Sequence, residues 1–474
     1  MASLASLVSI VKSRIFAFAA MEDRYFFTFL SPVLRSFRVV DGFVRNVFVL
    51  MTGATIAMII PVVAAPILTR LYSPADYGVF ALYVSIVSII SVPLTANYDS
   101  AVMLPRKDGD ALNLAALCVA VAFILSVVLL FASWCFSGQI TALLGNRSIA
   151  PYLSLAPVMA FIMGLHGTLM CWANRKRQYR RLSINKVVES VVTPLASVAL
   201  GVYSWGVAGL IVSLLGGKIA AASMLGQRAW REKRQSRIFF KKEIMFEQAR
   251  RYSDFPLFSA PTSLLDIVAL QAPVFLLTKS FGSAVVGLFA LTTRALGAPV
   301  ALVAQCIAQV YYQWIIEAGH KKDETSHVLR IAGYLALIAS GPVLAAILFS
   351  PSLFAFIFGE QWRIAGDYAR VLVIPLAIKF VVSPLAVIMP ATGNIRVGSI
   401  WKATNFVSTW VTLYIASHFQ VKTFLYVYAV HDSILNAYYF FLIVKASAGL
   451  RGVRDSATNV PGSCSCHGDE RKNQ

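Results

Sequence analysis

A succession of apolar runs, each about 20 residues or longer, constrains this chain more than any other feature of its sequence. An α-helix of about 20 apolar residues is long enough to cross the hydrocarbon core of a membrane. These runs dominate the chain, because 58% of its 474 residues are hydrophobic and only 14% are charged. A soluble protein of this size must cover itself with polar side chains, so the composition excludes a soluble enzyme, a secreted disulfide scaffold and a disordered protein.

We predict about twelve spanning helices, and therefore an all-α polytopic membrane protein. Run lengths and turn residues such as Pro74, Pro256 and Pro351 favour helices over outer-membrane strands, which would be about ten residues long with alternating polarity. The predicted spans cover residues 47–69, 78–98, 112–136, 150–172, 185–203, 206–226, 256–280, 284–315, 329–349, 369–390, 398–417 and 421–445. The predicted organisation is an extension at 1–44, a six-helix N-lobe at 45–226, a basic linker at 227–255, a six-helix C-lobe at 256–445 and a disordered cytoplasmic tail at 446–474.

The basic residues predict the orientation of these spans. Of the 42 lysines and arginines, 33 fall on one alternating set of connections, six fall on the other set, and three lie inside predicted spans. Positive charge concentrates on the cytoplasmic side of membrane proteins, so both termini and the 227–255 linker are expected in the cytoplasm. The formal net charge of +20 is then a signal of membrane orientation, and no nucleic-acid partner is expected.

The two ends of the chain and its cysteines carry weaker signals. Lys12 and Arg14 interrupt the first apolar stretch, which favours an interfacial amphipathic helix over a signal peptide. Six scattered cysteines do not make a disulfide framework. Cys464 and Cys466, followed by His467, are interpreted as part of a reduced, disordered tail. The basic linker is expected to lie along the anionic inner leaflet.

An internal repeat divides the spans into two halves. Shifting the chain by 209 residues aligns residues 68–82 with 277–291, and the shift carries Arg70 onto Lys279 and Tyr72 onto Phe281. The identical positions of the first copy are Leu68, Thr69, Ala75, Gly78, Phe80, Ala81 and Leu82. A weaker match pairs the stretches around Pro157 and Pro375. Six-span halves keep one orientation, so the sequence predicts two lobes related by an axis along the membrane normal, with a site between them.

The first copy of the repeat also has a recognisable local design. Ser73 is a favourable N-cap, Pro74 suits the first helical position, and Asp76 completes a capping box. We expect this turn to restart the second helix at the outer face of the membrane.

This motif resembles a known family. The stretch TRLYSPADYGVFAL, followed by NYDSAVMLPRKDGDA, resembles bacterial Wzx-like polysaccharide biosynthesis proteins of the multidrug/oligosaccharidyl-lipid/polysaccharide exporter (MOP) superfamily, and the similarity extends over about residues 45–445. The motif positions are Arg70, Tyr72, Ser73, Pro74, Asp76 and Gly78. The resemblance implies a flippase of the bacterial inner membrane that moves polyprenyl-diphosphate-linked oligosaccharides outward by alternating access, for exopolysaccharide, capsule or O-antigen. It implies membrane lipids, a polysaccharide polymerase and export machinery as partners, and no cofactor.

Three cations within the predicted spans are the candidate substrate ligands. Ionisable groups inside a membrane cost about 2.5–3.5 kcal/mol each on insertion scales, so each suggests a function. Arg294, Lys379 and Lys218 could bind the diphosphate by charge-assisted hydrogen bonds, or could instead form structural ion pairs. The repeat carries Arg294 onto Ser85, and the weaker match carries Lys379 onto Phe161. The glycines before Lys218 suggest close helix packing, which makes it the least favoured ligand.

Four further ionisable residues are candidates for coupling to a proton or Na⁺: Asp266, Asp432, His431 and Glu189. The alternative is that the acids neutralise Arg294 or Lys379, and this is the preferred interpretation of Asp266. No catalytic constellation, phosphate loop or metal cluster is present in the sequence, so no enzymatic activity is expected. The alternatives to a flippase are a multidrug or organic-cation antiporter of the same superfamily and, less favoured, a polysaccharide polymerase or ligase.

Overall fold

A computed structural model describes residues 42–235, 241–318, 324–388 and 395–458, and all regular secondary structure in these ranges is helical. The predicted all-α polytopic fold is confirmed. The extension before residue 42, and Cys464, Cys466 and His467 in the tail, lie outside the described residues. Ten helices in the described ranges are long and apolar enough to cross a membrane.

Twelve long helices, numbered α1 to α12, match the twelve predicted spans in order. Their bounds are α1 Gly42–Leu71, α2 Pro74–Leu94, α3 Asp108–Cys135, α4 Leu155–Arg175, α5 Tyr179–Val202, α6 Gly206–Gln235, α7 Ala260–Phe281, α8 Ser283–Ala318, α9 Glu324–Phe358, α10 Arg363–Leu385, α11 Ile395–Ala416 and α12 Val421–Thr458. Shorter helical segments cover Tyr98–Ala101, Ser137–Leu144, Arg147–Tyr152, Lys242–Arg251, Phe255–Ser259 and Glu360–Trp362. The helices other than α5 and α11 are the ten candidate spans.

Three helices run well past the ends that the sequence predicts. Helix α6 continues to Gln235, so the first nine residues of the predicted 227–255 linker are helical. Helix α9 passes through Pro351 and ends at Phe358, so the turn predicted at Pro351 is wrong. Proline is tolerated inside membrane helices when neighbouring groups cover the interrupted backbone, and Gly366 of α10 packs directly against the Pro351 backbone. Helix α12 continues to Thr458, beyond the predicted boundary at residue 445.

The linker contains a helix that packs on the N-lobe. This helix, Lys242–Arg251, lies against α3, and the Tyr98 hydroxyl donates a hydrogen bond of 3.2 Å to the Ala249 carbonyl. The same helix exposes Phe246 and basic side chains on its other face. The expected contact between this linker and the inner leaflet stays a prediction.

From Thr52 onward the described helices belong to one compact unit, which contains both groups of six helices that the sequence predicts, α1–α6 and α7–α12. In the N-lobe, α4 packs on α2, α3 and α6, and α5 packs on α6. In the C-lobe, α10 packs on α8, α9 and α12, while α7 packs on α11. The two groups meet mainly where α2 lies against α7 and α8.

The 209-residue repeat is visible in the helices. Helix α8 begins at Ser283, 209 residues after Pro74, where α2 begins. Gly78 and Gly287 are equivalent in the repeat and pack reciprocally, Gly78 against the Ser283 carbonyl and Gly287 against the Pro74 carbonyl. Such a contact, in which equivalent residues exchange partners, is the signature of a two-fold axis running between them.

The weaker match around Pro157 is wrong in register. Pro157 is the third residue of α4, whereas Pro375 is the thirteenth residue of α10. Ten residues of helix correspond to about 15 Å along its axis, so the two prolines occupy different levels of their lobes. The proposed equivalence of Lys379 with Phe161 fails with it.

Candidate functional site

The turn between α1 and α2 has the predicted capping box. The Asp76 backbone N–H donates to Ser73 Oγ at 3.1 Å, and the Ser73 backbone N–H donates to Asp76 Oδ2 at 3.0 Å. Pro74 occupies the first helical position, where a missing N–H costs nothing. These contacts fix the start of α2 and hence the position of Gly78. The end of the molecule that holds this turn and the α7–α8 turn is called the turn end below.

Tyr72 anchors this turn to the rest of the N-lobe. Its side chain is 1% exposed, and its hydroxyl donates a 2.7 Å hydrogen bond to the Ser197 carbonyl. A Cβ at Gly201 or Gly209 would collide with the Tyr72 side chain, so both glycines are needed for the tyrosine to fit. Burial and the nearby Asp76 carboxylate raise the pKa of Tyr72 to about 12, which keeps the hydroxyl protonated as a donor. The role of Tyr72 is therefore structural.

The same end is sealed by contacts between the lobes. The Thr69 carbonyl, at the end of α1, accepts hydrogen bonds from Gln361 Nε2 at 2.7 Å and from Trp362 Nε1 at 2.9 Å. The Trp362 ring is fully buried and makes an edge-to-face contact with Tyr77, with the ring centroids 5.2 Å apart. Together with the glycine contact between α2 and α8, these groups form one hydrophobic core shared by both lobes. We call this the lobe seal. Its residues are Thr69, Tyr77, Gly78, Gly287, Gln361 and Trp362.

The lobe interface opens beside Arg294. Arg294 is seven residues after Gly287, so both lie on the face of α8 that meets α2. Gly287 and Leu291 are buried on this face, whereas the Arg294 side chain is exposed. No acidic side chain in the described ranges lies within ion-pair distance of Arg294, and Tyr77 lies within its electrostatic range. The predicted first ligand is therefore an unpaired cation below the lobe seal.

Lys379 lies in a similar setting on α10. Leu372 and Val382, on the same face of the helix, are 1% and 3% exposed, while the Lys379 side chain is exposed. The charge of Asp432 on α12 lies within its electrostatic range, although the two are not in ion-pair contact. Lys379 therefore has a negative charge nearby but no ion-pair partner among the described residues.

Lys218 has a partner. Its Nζ lies 2.7 Å from Glu189 Oε1, and both side chains are largely shielded from solvent. Close packing of α5 and α6 brings them together, because Gly217 lies directly against the Thr193 side chain. The predicted close packing is confirmed, and the structural ion pair weighed for Lys218 forms with Glu189.

His166 and Asn185 border this pair. His166 Nε2 lies 2.7 Å from Asn185 Oδ1, and the Asn185 amide donates to the Ala221 carbonyl at 2.7 Å. His166 and Asn185 are therefore both hydrogen-bonded, whereas the buried Thr193 hydroxyl beside Gly217 has no partner among the described residues.

Asp266 pairs with a residue that the sequence assigns elsewhere. Asp266 Oδ2 lies 2.7 Å from Lys402 Nζ, and Lys402 lies eight residues into α11. The preferred interpretation, that Asp266 neutralises Arg294 or Lys379, is wrong. Lys402 lies near the start of the predicted span 398–417 and is counted among the charges of the cytoplasmic connection before it, so only the packing of α7 on α11 reveals the pair.

The remaining coupling candidates lie together on α12. His431 Nε2 is buried and has no hydrogen-bond partner among the described residues, and Asp432 follows it directly. In the described ranges no three His, Cys, Asp or Glu side chains lie close enough to hold a metal ion. The structure thus brings Glu189 to Lys218 and leaves Arg294 and Lys379 without a close counter-ion. The roles of these residues in substrate binding and ion coupling stay predictions.

The architecture defines a class: a multi-span helical membrane protein in which two helices related by an internal repeat, α2 and α8, pack against each other. Sequence comparison then gives the family. The family described as Polysaccharide biosynthesis protein matches residues 67–366, more than half of the chain, and the chain belongs to this family. The succinoglycan biosynthesis transport protein ExoT of Rhizobium meliloti is 18% identical over 352 residues, covering 73% of this chain and 69% of the relative.

Solved structures share the fold at low sequence identity. The Lipid II flippase MurJ in an inward closed conformation has a TM-score of 0.68 and 10% identity, and the match covers 88% of this chain and 94% of the MurJ chain. An inward-facing multidrug resistance MATE family transporter of the MOP superfamily has a TM-score of 0.59 and 15% identity, and the match covers 85% of this chain and 96% of the transporter. A MOP superfamily transporter from Pyrococcus furiosus, described as having a binding pocket of reverse polarity, has a TM-score of 0.57 and 16% identity. The match covers 86% of this chain and 96% of that transporter. The fold is therefore that of flippases and exporters.

Proposed function

We propose that the protein is a flippase that moves polyprenyl-diphosphate-linked oligosaccharide repeat units across the bacterial inner membrane for surface polysaccharide synthesis. The observation that carries the proposal is the exposed Arg294, which has no ion-pair partner among the described residues and lies on the face of α8 that meets the other lobe. An uncompensated guanidinium inside a membrane protein is costly, and a diphosphate is a dianionic group that it binds through paired hydrogen bonds.

The lipid-linked substrate fits the shape of the site. Arg294 lies 11 residues after the start of α8, about 16 Å below the turn end and so near the middle of a bilayer core about 30 Å thick. The diphosphate would bind Arg294, with Lys379 as a second cation. The oligosaccharide would occupy the gap and the polyprenyl tail would stay in lipid. Lys218 is the least suited of the three, because Glu189 already neutralises it.

Alternating access follows from the different contacts at the two ends of the interface. The turn end is closed by backbone packing at Gly78 and Gly287. Near the linker, the lobes are joined by the Asn97 amide, which donates to Ser259 Oγ at 3.1 Å and Ser263 Oγ at 3.0 Å. Two partly buried hydrogen bonds contribute less than a packed core, so the lobes would part first near the linker. In the orientation predicted from the basic residues, this is the cytoplasmic side.

The acids support the flippase over an organic-cation antiporter. An antiporter for cations needs acids that are free to meet its substrate, but Asp266 and Glu189 each hold a lysine. Asp432 and His431 remain as candidates for ion coupling. Efflux of a cationic dye from overexpressing cells would favour the antiporter, and loss of a surface glycan on deletion would favour the flippase.

The test of the proposal is substitution of Arg294. Arg294→Ala should abolish surface polysaccharide while the protein remains in the membrane, and Arg294→Lys should retain part of the activity because it keeps the charge. Arg147→Ala is the matched control, since Arg147 is exposed in the short segment between α3 and α4, away from the gap. Full activity of Arg294→Ala would contradict the assigned role.

A further inference from the structure

A glutamine lies between the lobes at the level of Arg294. Gln271 is a half-buried residue of α7, and its Oε1 lies 2.8 Å from the Ser85 hydroxyl of α2, across the lobe interface. Ser85 lies 11 residues after the start of α2, Arg294 lies 11 residues after the start of α8, and Gln271 lies 10 residues before the end of α7. At 1.5 Å per residue, all three lie about 15–17 Å below the turn end.

The faces of the helices turn these residues toward the same interface, in which the Ser85 side chain is buried. Ser85 follows Gly78 by seven residues on α2, as Arg294 follows Gly287 on α8, so both lie on the faces where the two helices meet. Ser85 is the repeat counterpart of Arg294. One lobe therefore contributes a cation at this level, and the other contributes a hydroxyl that holds Gln271.

The Gln271 amide keeps one polar atom without a partner among the described residues. The Ser85 hydroxyl lies 2.8 Å from both the Gln271 amide oxygen and the Ala81 carbonyl, and it has only one proton. If the Ser85 hydroxyl donates to the Gln271 amide oxygen, the Gln271 NH₂ group has no hydrogen-bond partner. If the hydroxyl donates to the Ala81 carbonyl instead, the Gln271 amide rotates by 180° and its NH₂ group donates to Ser85, so the amide oxygen has no partner. A polar atom inside a membrane protein is costly unless something bonds to it.

We infer that Gln271 hydrogen-bonds a hydroxyl of the sugar attached to the diphosphate, with Ser85 as the residue that positions it. The inference rests on the proposed function, because it places the sugar next to a diphosphate held by Arg294. The axes of packed neighbouring helices lie about 8–10 Å apart, so long side chains from α7 and α8 can reach a phosphate and the sugar bonded directly to it. A neutral amide donates and accepts, as a sugar hydroxyl does, and offers no charge to a phosphate.

The test compares two lipid probes on the full-length protein in lipid nanodiscs. One probe is a polyprenyl diphosphate without sugar, and the other is the same lipid carrying a single hexose. Gln271→Leu removes both polar atoms at similar volume, and Gln139→Leu is the matched control at an exposed glutamine outside the gap. Gln271→Leu should weaken binding of the hexosyl lipid by about fivefold, one lost hydrogen bond, and leave binding of the sugar-free lipid unchanged. Ser85→Ala should cause a smaller loss with the same selectivity.

Arg294→Ala separates this inference from the proposed function. It should weaken both probes equally, because the diphosphate is common to both. If the wild-type protein binds neither lipid, the proposed function fails and the inference fails with it. If Arg294→Ala behaves as expected but Gln271→Leu changes neither probe, or weakens both alike, only the assignment of Gln271 is overturned.

Discussion

Substitution of Gly287 by alanine tests whether the lobes close against each other at the turn end. A methyl group at position 287 would overlap the Pro74 carbonyl oxygen and come within 3.0 Å of the Gly78 backbone nitrogen. Both obstacles are backbone atoms, so no side-chain rotation can make room. The helices α2 and α8 must therefore separate by about 1 Å or more, and the lobe seal must loosen with them.

The size of the effect follows from the cost of overpacking. Inserting a methyl group into a closely packed interface costs about 1–3 kcal/mol. This cost applies only while the turn end is closed, so the equilibrium shifts toward the state in which it is open. At 1.4 kcal/mol per factor of ten, the open fraction should rise by about 5-fold to about 150-fold.

Thiol labelling measures this fraction. A cysteine at Gly297, where a Cβ meets open space on the face of α8 that carries Arg294, would report access to the gap from the outside of intact cells. Cys135, which is exposed, would first be replaced by serine. A membrane-impermeant maleimide would then react with the cysteine at position 297 and with no other exposed cysteine of the described residues at the turn end. Gly287→Ala should accelerate the labelling.

The matched control is Gly333→Ala in α9, where a Cβ meets nothing within 4 Å. Alanine there improves helix propensity and should leave the labelling rate unchanged. If Gly287→Ala labels at the same rate as Gly333→Ala, α2 and α8 do not close the turn end, and the reasoning is refuted.

Three further predictions concern stability and the linker end. Tyr72→Phe removes a buried hydroxyl that is hydrogen-bonded to a carbonyl, and it should lower the free energy of unfolding of the purified protein by about 1–2 kcal/mol, measured by thermal unfolding. Tyr203→Phe, at a side chain that is 70% exposed, should have no such effect. Equal Tm values for the two variants would contradict the anchoring role of Tyr72. Glu189→Gln and Lys218→Met should each destabilise more than the double variant does, because a single change leaves one largely shielded charge unpaired. Strictly additive losses would contradict this pairing. Asn97→Ala should increase labelling of position 297 from the cytoplasmic side by about fivefold, and an unchanged rate would show that its bonds to the serines do not hold the lobes together.

The sequence predicts the helices and the repeat because both are local or periodic signals. Apolar runs of about 20 residues specify spans wherever the bilayer is the solvent, and the capping box at Ser73 and Asp76 is complete within four residues. The turn predicted at Pro351 is absent because α9 continues through the proline, where Gly366 of α10 packs against it, and no local signal records that contact.

The candidate site is only partly predictable for the same reason. Arg294 stands out because a cation inside a span is rare, and its setting agrees with the repeat register. The partner of Asp266 is a lysine 136 positions away, which charge counting assigns to a loop. Gln271 and Trp362 are ordinary residues by composition, and only the packing of α2 on α7 and of the Glu360–Trp362 segment on α1 gives them their places.

The most direct test of the central claim is translocation by the purified protein in liposomes. A polyprenyl-diphosphate-linked oligosaccharide with a labelled sugar would be placed in both leaflets, and the fraction accessible to an external glycosidase would be followed with time. With wild-type protein this fraction should rise toward completeness, and with Arg294→Ala the rate should fall at least about tenfold, one charged hydrogen-bonding group being lost. If wild-type and Arg294→Ala liposomes release the sugar at the rate of protein-free liposomes, or at equal rates to each other, the account of a diphosphate held by Arg294 is contradicted.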